Sequence, residues 1–404
     1  MTREARAILN PGAAPAGEAY GATRSNVLNE AGFNAALGEI SSWPGYAAAP
    51  LVRLDGLARA LDLEELWYKD ERGRFGLKSF KALGGAYAVA NVLRKRVLQE
   101  RGVAAVTSRE LVAGTYASIA RKTTVTCATD GNHGRSVAWG AQLFGCRCVI
   151  FVHEHVSQGR RDAIAHYGAE VRVVRGNYDD AVREAAATAA ANGWTVVSDT
   201  SYPGYREIPL DVMHGYGVMA AEIARQLPNG EPPTHVFAQA GVGALAAAIC
   251  AYFWLHWRAR RPSFVVVEPT QADCVYRSLA AGHPVVVGGS LDTVMAGLAC
   301  GEVSELAWEI LRSGATGAIA IDDAYALDAV RTFAHPAPGD PPIVAGETGG
   351  SGLAALLAAR DTPAIRQTLG LDRNARVLLL GSEGDTDPVI YRQVVGRTAA
   401  EVLA

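Results

Sequence analysis

The sequence predicts an α/β protein with parallel strands, folded as two or three domains. Three observations carry this. Short β-rich apolar runs alternate with longer amphipathic ones. The 404 residues are too many for one core, at a usual 100–200 or so per domain. A chain 49% hydrophobic and 20% charged has the balance of a globular protein, not a disordered one. Glycine supplies 43 residues. It weakens helix and strand interiors, so an excess over the usual share of about 7% belongs in tight loops.

In chain order, 81–100 has the spacing of an amphipathic helix and 123–129 (TTVTCAT) the β-branched run of a buried strand. Helix 135–144, strands 148–152 and 171–174, helix 178–192 and strand 195–199 (TVVSD) follow. Helix 217–226, strand 235–240 (HVFAQA), helix 244–257 and strands 264–268 and 376–381 complete the pattern. Proline-rich stretches at 227–233 and 335–342 read as surface connections or a domain boundary.

A net charge of −3 without a Lys/Arg stripe argues against nucleic acid as the main partner. The N-terminus has charges and prolines but no apolar stretch, so it does not read as a secretory signal. Residues 235–257 lack charge, yet Gln239, Gly241 and Gly243 divide them into strand, loop and helix instead of a membrane span. The six cysteines read as buried free thiols, with a Cys274–Cys300 bridge left open. A soluble, cytoplasmic protein is expected. His153 and His155 alternate on an extended segment, so no metal site is expected there. The aromatic run 252–257 reads as core or dimer interface.

Parallel sheets bind ligands beyond the carboxyl ends of their strands, which directs attention to four joints. At 239–245, glycines and a helix N-terminus make a phosphate cradle. The same residues match a dinucleotide fingerprint, with Glu268 where a ribose-binding acid would stand, or form a plain tight turn. At 74–85, Ser79 can cap a helix whose first turn carries Lys81. Desolvation and the positive helix end would lower that amine's pKa, as a Schiff-base lysine needs; the alternative is a solvated lysine. At 128–134, a glycine-flanked turn offers donors for a carboxylate, with Asn132 and an acid, Asp130, beside it. Asp130 reads otherwise as an N-cap. At 380–388, Ser382 emerges at a strand end, either to meet a ring nitrogen or simply as a polar loop residue.

Ser79-Phe80-Lys81, Gly131-Asn132-His133-Gly134, the glycine loop and Ser382 occur in this order in pyridoxal-phosphate enzymes of the tryptophan-synthase β-like fold (fold type II), which the chain resembles. Within that group it is most similar to the diaminopropionate ammonia-lyases. The shared segments are RFGLKSFKALGGAYA, ATDGNHGRSVAWGA, SDTSYPGY, QAGVGALA, VEPTQADCVYRS, VMAGLACGE and SEGDTDP. It departs from them at Tyr202-Pro203, where Trp-Glu is common, and at Glu347-Thr348-Gly349-Gly350, where Glu-Ser-Gly-Ala is common.

The resemblance implies a two-domain fold type II enzyme, each domain a mostly parallel open sheet flanked by helices. A large cofactor-binding domain would span 1–85 and 230–404, with a small inserted domain at 86–229 carrying the Asp-Gly-Asn-His-Gly loop. Pyridoxal 5'-phosphate would be held by Lys81, with Asn132 at its phenolic oxygen, Gly241, Val242, Gly243, Ala244 and Leu245 around its phosphate, and Ser382 near its ring nitrogen. Asp130, Gly131, His133 and Asp199 would line the substrate pocket. The implied activity is elimination of ammonia from D- and L-2,3-diaminopropionate by a homodimer. Lys81 would serve as base for the L isomer and Asp130 for the D isomer, with Asp199 a second partner for the substrate's ammonium group. The alternatives are elimination from serine, threonine or hydroxyaspartate, a nicotinamide-dependent dehydrogenase, and a non-catalytic binding protein.

Overall fold

The computed structural model describes residues 3–129 and 131–404. Its strands are β1 (Ala5–Leu9), β2 (Leu51–Arg53), β3 (Glu65–Asp70), β4 (Thr124–Ala128), β5 (Arg147–His153), β6 (Glu170–Val174), β7 (Thr195–Val196), β8 (His235–Gln239), β9 (Ser263–Pro269), β10 (Gly317–Ile321) and β11 (Arg376–Gly381).

The chain forms two compact units. One comprises the described residues up to Glu30 with Ala48–Gly73 and Met219–Ala404; the other comprises Ala31–Ala47 and Arg74–Val218. The first is built on a seven-stranded sheet in the order β1-β10-β9-β8-β11-β3-β2. Its five inner strands are parallel, and β1 and β2 close the edges antiparallel. Inner strands covered on both faces need no polar alternation, and burial is complete along β8 and β10. Leu66, Phe237, Ile319, Leu353 and Leu379 belong to one continuous core of this unit. The second unit carries a four-stranded, wholly parallel sheet, β6-β5-β4-β7.

Every strand read from the sequence is present, though 195–199 pairs only over Thr195–Val196. The edge strands β1 and β2, together with β3 and β10, were not read. The helix at 217–226 begins earlier and runs Glu207–Gln226. Pro209 lies in its first turn, where a missing N–H costs no helical hydrogen bond. All six cysteines are free thiols, Cys274 and Cys300 included. Among the described residues, no helix is long and apolar enough to cross a membrane, and no group of three or more His, Cys, Asp or Glu could hold a metal ion. In the aromatic run, Phe253, Trp254 and Trp257 are core residues of the first unit. Arg24 and Arg261 stand 4.2 and 3.9 Å from the Trp254 ring centroid, within cation–π range.

Candidate active site

In the second unit the chain enters the lysine segment through two non-glycine residues with positive φ, Phe75 (48°) and Lys78 (57°). Such backbone persists only where its surroundings over-determine it. Buried Arg74 supplies part of that hold by donating to the Ala47 carbonyl at 3.0 Å. The helix Ala82–Arg101 starts one residue after Lys81, which occupies the cap position without any side-chain cap. Ser79, expected as the cap, is buried and is not one.

Lys81 Nζ donates to Asp199 Oδ2 at 2.5 Å, with the two side chains 22% and 17% exposed. This reverses the expected direction of the lysine's pKa. Burial does pull it down, but the Asp199 charge and the Tyr216 hydroxyl outweigh burial, and Lys81 is held above its ordinary value. Burial in turn pushes Asp199 up. The Lys81 charge, the nearby His133 and the hydrogen bond outweigh this and hold Asp199 well below the usual carboxylate range. Without its cofactor, the site is an ammonium–carboxylate pair.

The loop carrying Asp199 is shaped by side chains taking over from the sheet. Val197 N donates to Thr126 O at 2.7 Å. The Tyr205 hydroxyl then donates to the Val196 carbonyl at 2.8 Å and accepts from Ser198 N at 3.0 Å. β7 is therefore short, and Asp199 projects from the loop beyond it. His133, 8% exposed, meets the Val197 carbonyl through Nε2 at 2.8 Å. A carbonyl only accepts, so Nε2 carries the proton. Nδ1 lies 3.7 Å from Asp199 Oδ2 and has no hydrogen-bond partner among the described residues. Burial lowers the His133 pKa; Asp199 opposes this and Lys81 adds to it, and the net shift is downward, favouring the neutral ring.

Asn132 opens the helix Asn132–Phe144, with Gly131 before it. Thr129 Oγ1 accepts from Gly131 N and Gly134 N, at 3.0 and 3.1 Å, and ties the turn together. Asp130 lies outside the described residues.

In the first unit, β8 runs into the glycine loop and the helix Ala244–Trp257. Gly243 has φ +90°, and a Cβ on Gly241 would stand 2.9 Å from the Gly297 carbonyl, so the turn has no room for side chains. Val242 is anchored by Ser304 N, which donates to its carbonyl at 2.9 Å. Ala244 and Leu245 open the helix, buried and without a side-chain cap, so that helix end presents its N–H groups and positive dipole to an anion. Ser382 follows β11 and is 1% exposed. Its Oγ accepts from Gln239 Nε2 at 2.7 Å, which leaves the serine O–H free to donate. Gln239 Nε2 also meets the Leu380 carbonyl at 2.8 Å, while its Oε1 is buried without a hydrogen-bond partner.

Glu268 settles the dinucleotide alternative. It is fully buried and accepts from Val275 N at 2.8 Å and Tyr276 N at 2.6 Å, at the start of the helix Cys274–Ala281. Burial pushes it up to about 8, against those two N–H groups. A carboxyl with no exposed surface, both of whose oxygens already hold a helix end, cannot reach a ribose.

A family model described as pyridoxal-phosphate dependent enzyme matches residues 43–380. The diaminopropionate ammonia-lyase of Escherichia coli (strain K12) is 42% identical over 355 residues, 87% of this chain and 88% of that protein. The chain belongs to the diaminopropionate ammonia-lyase family of pyridoxal-phosphate dependent enzymes. The corresponding protein of Salmonella typhimurium (strain LT2) is 40% identical over 369 residues, 88% of this chain and 90% of that one. The selenomethionine holo structure of the Escherichia coli lyase superposes with a TM-score of 0.88 at 38% identity, covering 98% of this chain and 97% of that one.

The residues present fit the family's cofactor. An amine is available to its carbonyl, an uncapped helix end behind a glycine turn to its phosphate, and a buried hydroxyl donor to its ring nitrogen. A hydroxyl partner, unlike a carboxylate, would leave that nitrogen unprotonated. The lysine, Asp199 and His133 lie together in the second unit, and the glycine loop and Ser382 belong to the first. Three residues had no role assigned from the sequence. Gln239 and Tyr205 stood inside quoted motifs with nothing to mark them. Tyr216 sits in a helix whose pattern marks it only as core.

Proposed function

We propose that this lyase eliminates ammonia from both enantiomers of 2,3-diaminopropionate, giving pyruvate and two ammonia molecules with uptake of water, and that it acts as a cytoplasmic homodimer. The observation that carries the reading is the 2.5 Å Lys81–Asp199 pair. A carboxylate held ionised beside the reactive amine suits a substrate whose leaving group is itself an ammonium. Bound pyridoxal phosphate supplies the electron sink for a Cα carbanion. Lys81 would hold the cofactor, and its amine takes the Cα proton of the L isomer. Asp130 takes that of the D isomer on the opposite face. Asp199 exchanges the Lys81 cation for the substrate's β-ammonium. Gly131 and His133 line the substrate. Asn132 would meet the phenolic oxygen, the backbone of Gly241, Val242, Gly243, Ala244 and Leu245 would take the phosphate, and Ser382 would donate to the ring nitrogen. In this reading the inserted domain is 86–229, which overlaps the second compact unit, Ala31–Ala47 with Arg74–Val218.

The test is pyruvate and ammonia release from D- and L-diaminopropionate, serine, threonine and hydroxyaspartate, with borohydride reduction to locate the cofactor. Preference for both diaminopropionate isomers and a reduced adduct on Lys81 are expected. A preferred hydroxylated substrate, or an adduct elsewhere, overturns the assignment. Asp130→Asn should lose the D substrate far more than the L, and equal loss refutes the division of labour.

A further inference from the structure

Tyr216 is 0% exposed, and its hydroxyl makes no hydrogen bond of ordinary geometry among the described residues, though it stands near enough to Lys81 for the two groups to act on each other. A phenol is tolerated in a core when its O–H finds a partner, so an orphaned one needs an explanation. Its place is enforced by its neighbours. The ring packs on Phe80 with centroids 4.7 Å apart, and a Cβ on Gly84 would stand 2.5 Å from Tyr216 Cε1. Gly84 is thus a glycine because the tyrosine occupies that space. Lys81 Nζ lies 5.8 Å from the ring centroid, and Lys81 and Asp199 are the charged groups that act on the hydroxyl. Burial raises the phenol's pKa; Lys81 opposes this and Asp199 adds to it, so the hydroxyl stays protonated.

We infer that Tyr216 is a positioning residue for Lys81, its hydroxyl taking the hydrogen bond of the lysine amine whenever Asp199 turns to the substrate. The inference rests on the proposed function in one respect, the exchange of partners by Asp199. Without a second partner, the amine freed during turnover would have nothing to hold it as Asp199 leaves. With one, it stays beside the cofactor within reach of the Cα proton. The orphaned hydroxyl is then a partner held in reserve.

The test uses the full chain freed of cofactor, with acetylation of Lys81 followed by peptide mass spectrometry across pH. An acceptor favours the ammonium, so Tyr216→Phe should shift Lys81 reactivity to lower pH. About threefold faster modification is expected with Asp199 intact, rising to about tenfold in an Asp199→Asn background where the hydroxyl is the remaining partner. Equal effects in the two backgrounds, or none, overturn the inference. Fluorotyrosine at position 216 keeps the shape and weakens the acceptor, so it should move the profile in the same direction; an unmoved profile means a packing role only. After reloading, Tyr216→Phe should lower kcat about tenfold with KM within about twofold. A chain that takes up no pyridoxal phosphate would defeat the functional reading, while the acetylation profile would still decide the role of Tyr216.

Discussion

Asp199→Asn in the cofactor-free protein removes the counter-charge of the Lys81 ammonium without changing side-chain volume. Removing one partner of a buried pair costs about 3–5 kcal/mol. The two side chains keep 22% and 17% of their exposure, which places this pair at the low end, about 3 kcal/mol. For a unit the size of Ala31–Ala47 with Arg74–Val218, each kcal/mol moves the midpoint by about 2–4 °C, giving a loss of about 6–12 °C. The pH dependence follows from the two shifts. Lys81 is raised in the folded state, so its contribution is complete below its ordinary 10.5 and fades as pH rises through the folded value. Asp199 is lowered, so its contribution is complete above its ordinary 3.8 and fades as pH falls through the folded value. The difference between the two proteins in scanning calorimetry should therefore be level from about pH 5 to about pH 9. A shift below about 2 °C, or one that varies steeply inside that window, would refute the pairing.

Three further perturbations probe the supports of the site. Gln239→Leu removes the donor that orients Ser382 at 2.7 Å and should weaken cofactor binding about tenfold in fluorescence titration, a loss typical of outer-shell partners; unchanged affinity would show that Ser382 needs no such orientation. Gly243→Ala places a side chain at φ +90° with its Cβ 3.1 Å from that of Ala307, and should cost about 1–3 kcal/mol in urea melts along with cofactor affinity; neutrality on both counts would remove the tight turn from the argument. Tyr205→Phe leaves Val196 O and Ser198 N without their partner, so stability should fall by about 1–3 kcal/mol, and kcat/KM should fall through displacement of Asp199; a purely thermal effect would mean that the loop holds Asp199 by other means.

The four joints were legible because each combines a strand pattern with residues that make sense only in a tight, ligand-facing turn. Periodicity located β4, β5, β8, β9 and β11, since buried parallel strands leave an apolar and β-branched record, and it located the partly exposed edge strand β6 by its valines. It missed β3, where Lys69 and Asp70 end the run, and β10, where glycine and alanines dilute the two isoleucines. It overran β7, because what ends that strand is the hydroxyl of Tyr205, nine residues downstream of its last paired residue. The lysine's pKa was misjudged for the same reason: burial and the helix end are local, and the carboxylate that reverses them comes from residue 199.

By itself, then, the sequence determined the α/β class, the order of joints and the identity of the reactive groups, because these depend on local pattern and on side-chain chemistry. The tertiary structure alone decided which groups act on one another. It paired Lys81 with Asp199, spent Glu268 on a helix cap and thereby closed the dinucleotide alternative, set Gln239 behind Ser382, and left the Tyr216 hydroxyl buried beside an amine. Charge–charge energy and desolvation depend on distances between residues far apart in the chain, and only folding sets those distances.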